Sequence, residues 1–133
     1  MWVCFSRGFI SIVKKGTRGE WQVRARSRED LENLCAMIKM LASRIKVSRS
    51  GDYAYRLIVN KQELHRIFEA LESSINYSNY KAEVGRHPDQ VKKLSAYHEF
   101  WRLLSKLQPW PPYSGSRIEF EQQAEFDSEL EAR

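Results

Sequence analysis

The chain has 133 residues, with 22 Lys and Arg against 17 Asp and Glu, which gives a formal net charge of +5. This length suits a single domain with one hydrophobic core. No segment approaches the ~18 consecutive apolar residues of a membrane helix, and the N-terminal sequence lacks the pattern of a secretory signal. We therefore expect no membrane association and a cytoplasmic location.

The charge is unevenly distributed along the chain. Residues 1–115 hold 20 Lys and Arg against 11 Asp and Glu, whereas residues 116–133 hold 2 against 6. A basic body of this kind indicates an anionic partner, either nucleic acid or an acidic protein surface. We interpret the acidic tail as a solubilising terminus, with screening of the basic body or contact with a partner as the alternatives.

The N-terminal third has the pattern of β-strands. Residues 2–14 alternate apolar and polar positions around a glycine, which predicts a strand pair or one bent strand. A turn rich in Lys and Gly leads into the segment from Trp21 to Arg26, where apolar and polar residues again alternate. This alternation predicts a strand on which Arg24 and Arg26 point away from the buried face.

A helix and a hairpin are predicted next. Ser27 followed by Asp30 resembles a capping signal, and apolar residues from Leu31 to Ala42 recur at helical spacing. Residues 45–48 and 53–59 then flank a turn containing Ser, Gly and Asp. The sequence therefore predicts one helix followed by a second strand pair.

Three further helices are predicted after this hairpin. Asn60 with Glu63 three residues later marks the start of the first, and residues 80–84 form a short second one. Pro88 suits the first position of a third helix that ends near Leu107. Consecutive strands joined by turns favour an α+β fold with an antiparallel sheet and helices packed on one face, a ferredoxin-like variant being one form of it.

The domain organisation follows from the same patterns. Residues 1–108 are predicted to form a single α+β domain. The proline-rich segment 109–115 cannot continue a helix and should be extended. Residues 116–133 form the acidic tail, which we expect to be disordered.

Two polar groups on the predicted strands are candidates for binding. Tyr53 and Tyr55 on one strand face, with Arg56 on the other, could stack bases and clamp a phosphate; the alternative, which we favour, is ordinary strand and turn packing. Arg24 and Arg26 could join Arg56 and Lys46 in a basic stripe across the open face of the sheet. Such a stripe would contact phosphates, and its alternative is a solvated face.

A third candidate lies in a connection between helices. Tyr77, Asn79 and Lys81 place a phenol, an amide and an ammonium close together, as in a recognition loop, although a helix-capping turn is an equal alternative. The histidines and the two cysteines lack the spacing of a metal site. No phosphate loop or nucleophile motif is present, so we predict no metal, no cofactor and no catalytic residue.

The ordered set of motifs resembles a group of small uncharacterised bacterial proteins. The set comprises Met1-Trp2-Val3, Gly8-Phe9, Val23-Arg24-Ala25-Arg26, Asp52-Tyr53-x-Tyr55-Arg56, Tyr77-x-Asn79-x-Lys81, Tyr97 and Trp101. The resemblance spans roughly residues 1–107 and implies one domain without implying a reaction. The chain departs from the pattern at Ala54, where proline is expected, and at Tyr80, where phenylalanine is expected.

The leading hypothesis is a non-enzymatic binding module for nucleic acid or for a nucleic-acid-handling protein. Its predicted binding residues are Arg24, Arg26, Tyr53, Tyr55, Arg56, Tyr77, Asn79 and Lys81. One alternative is a protein-interaction or inhibitor protein of a mobile-element or defence system, which binds through the tail and the segment containing Trp110 and Tyr113. Another is a small enzyme that uses Asp52, Arg56, Tyr77 and His98.

Overall fold

The computed structural model describes residues 1–110 and Pro112. The chain divides into two compact units, Met1–Leu94 and a second one beginning at Ser95, and each is described by itself. Among the described residues, no helix has the length and apolar character needed to cross a membrane. The predictions for the proline-rich segment 109–115, apart from three of its residues, and for the acidic tail 116–133 lie outside the described residues.

The first unit is built on one antiparallel sheet. Its strands are β1 (Trp2–Phe5), β2 (Gly8–Lys14), β3 (Trp21–Ala25), β4 (Lys46–Val47) and β5 (Tyr55–Val59). They lie in the order β1-β2-β3-β5-β4, and every neighbouring pair is antiparallel. The predicted α+β class, the antiparallel sheet and both strand pairs are therefore confirmed.

The ferredoxin-like variant is not the arrangement found. Three strands precede the first helix, which gives the element order β-β-β-α-β-β-α rather than the β-α-β-β-α-β order of that fold. Only the connection between β3 and β4 contains a helix, so the first three strands form a simple meander. The sequence patterns identified the strands and the two hairpin pairs but not the order of all five strands in the sheet.

The helices are α1 (Arg28–Met37), α2 (Lys61–Ser74), α3 (Tyr80–Gly85) and α4 (Leu94–Ser105). Helix α1 packs on β2, β3 and β5, and α2 contacts α1. The core lies between this helix layer and one face of the sheet, where Ile10, Val23 and Leu57 meet Leu31 and Leu34 in one buried cluster. Alternation along each strand supplies the apolar face, and helical spacing supplies the matching stripe.

The start of α1 differs from the predicted capping arrangement. Ser27 is the N-cap residue, but its side chain makes no capping hydrogen bond. Asp30 is instead buried, at 1% exposure, and accepts hydrogen bonds from the backbone N of Phe9 (3.1 Å), Gln90 Nε2 (3.0 Å) and Lys93 Nζ (2.7 Å). A buried carboxylate needs such partners, so Asp30 ties α1 to the β1–β2 hairpin and to the chain before α4.

The last helix begins later than predicted. Helix α4 starts at Leu94 rather than near Pro88, and the intervening chain includes a short 3₁₀ turn, Val91–Lys93. Gln90 is fully buried, and both Gln90 and Lys93 donate hydrogen bonds to Asp30 from this stretch before α4. The predicted start of α2 is confirmed, because Asn60 and Glu63 form a reciprocal capping box.

Candidate functional site

The face of the sheet opposite α1 carries a row of polar and aromatic residues. The strand registers pair Trp2 with Ser11, Ser11 with Arg24, Arg24 with Arg56, and Arg56 with Lys46. Directly opposed residues of antiparallel strands project from the same face. Arg24, Arg56 and Lys46 therefore form a continuous line of cations across β3, β5 and β4, which we call the cation row.

The cation row carries little compensating negative charge. In the described part of the chain, no carboxylate lies within 4.0 Å of Arg24 or Lys46. Arg56 has one acidic partner, Asp52, at 3.4 Å, and the Asp52 side chain is 68% exposed. Like charges placed directly opposite each other destabilise a sheet. The cation row by itself therefore destabilises the folded protein.

Tyr53 holds two of the basic side chains in place. Its ring is 3% exposed and lies against both Arg24 and Arg26, whose guanidinium carbons are 4.5 and 4.3 Å from the ring centroid. Stacking of this kind is favourable by about 0.5–2 kcal/mol and leaves the positive charge intact. Arg26 is exposed, so its charge faces solvent beside the cation row.

Neutral hydrogen-bond acceptors complete the positioning. Arg24 Nη2 donates to Ser11 Oγ at 2.8 Å, and Arg56 Nη1 donates to Gln22 Oε1 at 2.9 Å. The Nε groups of both arginines are buried without a hydrogen-bond partner among the described residues. These neutral acceptors hold the two side chains in fixed orientations without cancelling their charge, and an unsatisfied buried donor costs about 1–3 kcal/mol.

The turn before β5 approaches the cation row closely. A Cβ added at Gly51 would lie 2.8 Å from Arg56 Nη2 and 2.9 Å from Ser48 Oγ. The absence of a side chain at Gly51 therefore lets the turn pass beside the guanidinium and brings Asp52 and Tyr53 to the arginines. This explains in physical terms why the turn and the strand arginines form one site.

Four of the predicted binding residues lie together in this site: Arg24, Arg26, Tyr53 and Arg56. Tyr55 does not belong to it. Tyr55 pairs with Ala25 and Val47 and packs against the hydrophobic core, because strand alternation directs it to the helix side. The prediction that Tyr53 and Tyr55 share a strand face is therefore wrong, since β5 begins only at Tyr55 and Tyr53 belongs to the turn.

The remaining predicted residues cluster at the start of α3. Asn79 is the N-cap, and its side-chain oxygen accepts a hydrogen bond from Ala82 N at 2.8 Å. The ring of Tyr77 lies 6.2 Å from that of Tyr80, and burial raises the pKa of the Tyr77 phenol. Lys81 lies in the first turn of the helix. Asn79 thus has the capping role that we considered as the alternative to recognition.

Three residues of the site were not among the predicted ones. Ser11 is buried on β2 beside Arg24, Gln22 accepts from Arg56, and Trp2 on β1 is paired with Ser11. Alternation along each strand places these three residues on the face opposite the core, so the sequence does indicate which face they occupy. Their grouping depends on strand order, which no local pattern contains.

In the first unit, the groups of the enzyme alternative take part in two different contacts. Asp52 pairs with Arg56, and Tyr77 lies beside Tyr80. His98 belongs to the second unit, where its ring stacks on Trp101 with centroids 6.0 Å apart. Within the described residues, no cluster of three or more His, Cys, Asp or Glu side chains has the arrangement of a metal site.

Both cysteines are free thiols in the first unit. Burial raises the pKa of Cys4 and, as the largest effect, that of Cys35. A raised pKa lowers the thiolate fraction and therefore the reactivity of a thiol.

Comparison with protein-family models, with curated proteins and with solved structures found no match.

Proposed function

We propose that the protein is a non-enzymatic binding module that contacts the phosphates of nucleic acid through the cation row and Arg26. The observation that supports this most directly is the line of Arg24, Arg56 and Lys46 on three adjacent strands, with one exposed carboxylate beside it. Repulsion within the row is relieved when an anion binds. Like charges that destabilise a sheet in this way are typical of functional sites, where local rules of stability are often broken.

The chemistry of the site fits phosphate better than an isolated carboxylate. Guanidinium groups form bidentate, charge-assisted hydrogen bonds with phosphate oxygens, and the spaced cations match a repeating anion. Contacts of this type position a backbone and do not read sequence. We therefore expect binding that depends strongly on salt and weakly on base composition.

A second candidate function is protein binding by the second unit, in the interaction or inhibitor class considered above. Helix α4 exposes several large apolar side chains, including Phe100, Leu103 and Leu104, and exposed apolar surface of this kind marks interaction sites. Deletion of residues 109–133 tests the predicted role of the segment after α4. Loss of partner binding would support that role, whereas nucleic-acid binding should persist or tighten.

Fluorescence anisotropy with labelled single-stranded DNA, duplex DNA and RNA over a salt series tests the leading proposal. Contacts by three or four cations predict a slope of log affinity against log salt of about −2 to −3 for single strands. Arg26→Gln and Lys46→Gln should each weaken binding and reduce the slope by about 0.7. Both side chains are exposed, so these variants should fold normally.

The matched control is Lys61→Gln, which removes one exposed positive charge from α2 in the helix layer. It should bind nearly as the parent protein does, and Lys46→Arg should retain the parent slope. Equal effects of Lys61→Gln and Lys46→Gln would show that net charge alone drives binding. No binding to any of the three nucleic acids at low salt would overturn the proposal.

A further inference from the structure

An exposed tryptophan lies in line with the cation row, two strands beyond Arg24. Trp2 is paired with Ser11, which is paired with Arg24, so the indole projects from the same face as the cations. Its side chain is 62% exposed, whereas Val23 and Leu57 on the opposite face are fully buried. The hydrophobic core therefore does not account for a residue of this size at this position.

The orientation of Trp2 is supported by a neighbouring aromatic ring. Phe9 lies in an edge-to-face arrangement with it, with ring centroids 6.0 Å apart and an interplanar angle of 61°. Edge-to-face aromatic pairs of this kind are favourable beyond the area that they bury. The pair presents an aromatic surface in line with a series of cations.

We propose that the ligand is a single-stranded nucleic acid that crosses the strands of the sheet, with one base stacked on Trp2 and phosphates on the cation row. This inference rests on the proposed function and specifies its substrate class. Stacking of bases on aromatic side chains, combined with basic contacts to the backbone, is the general mode of single-strand binding. Ser11 and Gln22 hold the intervening guanidiniums, and the exposed indole remains available to a base.

The dimensions of the face disfavour a duplex. Four strand spacings separate Trp2 from Lys46, a width of about 19 Å, whereas the major groove is about 12 Å wide. A broad sheet face cannot enter that groove, and the bases of a duplex are stacked on each other and so unavailable to Trp2. Only an unpaired strand can place a base on Trp2 and its phosphates on the cation row together.

The test compares Trp2→Ala and Trp2→Phe with the parent protein, using a single-stranded oligonucleotide and the same strand with abasic sites. We expect Trp2→Ala to weaken binding to the normal strand by about 5- to 100-fold, the range for loss of one base-stacking side chain, with an unchanged salt slope. Trp2→Phe should restore part of the affinity. The abasic strand should bind the parent protein and Trp2→Ala equally.

Val47→Ala is the matched control, because Val47 is an exposed apolar residue that pairs with Tyr55 and projects from the other face. It should bind as the parent protein does. Thermal unfolding of each variant separates loss of binding from loss of fold, and Trp2→Phe keeps the test decisive if Trp2→Ala is unstable.

Equal affinity of Trp2→Ala and the parent for the normal strand, or tighter binding of duplex than of single strand, would overturn the inference while leaving phosphate binding intact. Failure of the proposed function would instead appear as no binding to any nucleic acid.

Discussion

The two faces of the sheet are made by the same strands and have opposite chemistry. Val23 and Leu57 are fully buried beneath α1, while the next residue of β3, Arg24, and the preceding residue of β5, Arg56, belong to the cation row. A step of one residue along a strand therefore separates a side chain that stabilises the fold from one that we assign to binding. This contrast predicts that stability and binding respond to different, adjacent substitutions.

The largest expected effect comes from the buried face. Leu57→Ala should lower the free energy of unfolding by about 2–5 kcal/mol, because it removes a fully buried side chain and leaves a cavity. Ile58 is one residue later, on the face that carries the cation row, and is only half-buried. Ile58→Ala should therefore cost about 1–2 kcal/mol. Urea denaturation measures both values. Equal losses would mean that the two faces contribute similarly to stability.

The helix layer also differs from the cation row in its pairing of charges. Arg44 donates two hydrogen bonds to the carboxylate of Glu63, which is 15% exposed, and these hold the pKa of Glu63 below its usual value. Because the folded pKa lies below the unfolded one, this interaction stabilises the protein above pH ~4.3 and is lost as the pH falls through the folded value.

Glu63→Gln should therefore be less stable than the parent protein at pH 7. This difference in stability should shrink as the pH falls through the folded pKa of Glu63. Urea denaturation between pH 7 and pH 2 measures the difference. Glu69→Gln on the exposed side of the same helix is the control and should show a smaller change. A stability gap for Glu63→Gln that stays constant with pH would contradict the assigned role of the Arg44 pair.

The smallest expected effect lies in the cation row itself. Lys46→Gln removes one of two like charges directly opposite Arg56 and should raise the free energy of unfolding by about 0.5 kcal/mol at low salt. The gain should vanish near 1 M salt, where charges are screened within about 3 Å. Lys15→Gln, at an exposed position after β2, serves as the control. A loss of stability in Lys46→Gln would show that other interactions of Lys46 outweigh its repulsion by Arg56.

Much of the fold could be predicted from local patterns. Alternation identified the strands, helical spacing identified α1 and α2, and Asn60 with Glu63 marked a helix start that the structure confirms. These signals succeed because each depends on residues a few positions apart. Arg24 was likewise placed correctly on the polar side of its strand, whereas Arg26 was wrongly assigned to that strand, because β3 ends at Ala25.

Features that depend on distant residues could not be predicted. The burial of Asp30 depends on Gln90 and Lys93, some 60 positions away along the chain. The alignment of Trp2 with Arg24 requires the order β1-β2-β3 and its register. Neither the burial of Asp30 nor the alignment of Trp2 with the cation row could therefore be predicted from residues close to them in the sequence.

The outermost strand β4 is only two residues long and begins with the exposed Lys46. An edge this short offers an incoming chain few free backbone groups, and its ammonium opposes apolar strand pairing. At this edge the sheet is thus protected from edge-to-edge aggregation. The lysine that we assign to ligand binding also helps to keep the folded protein from polymerising through its own sheet.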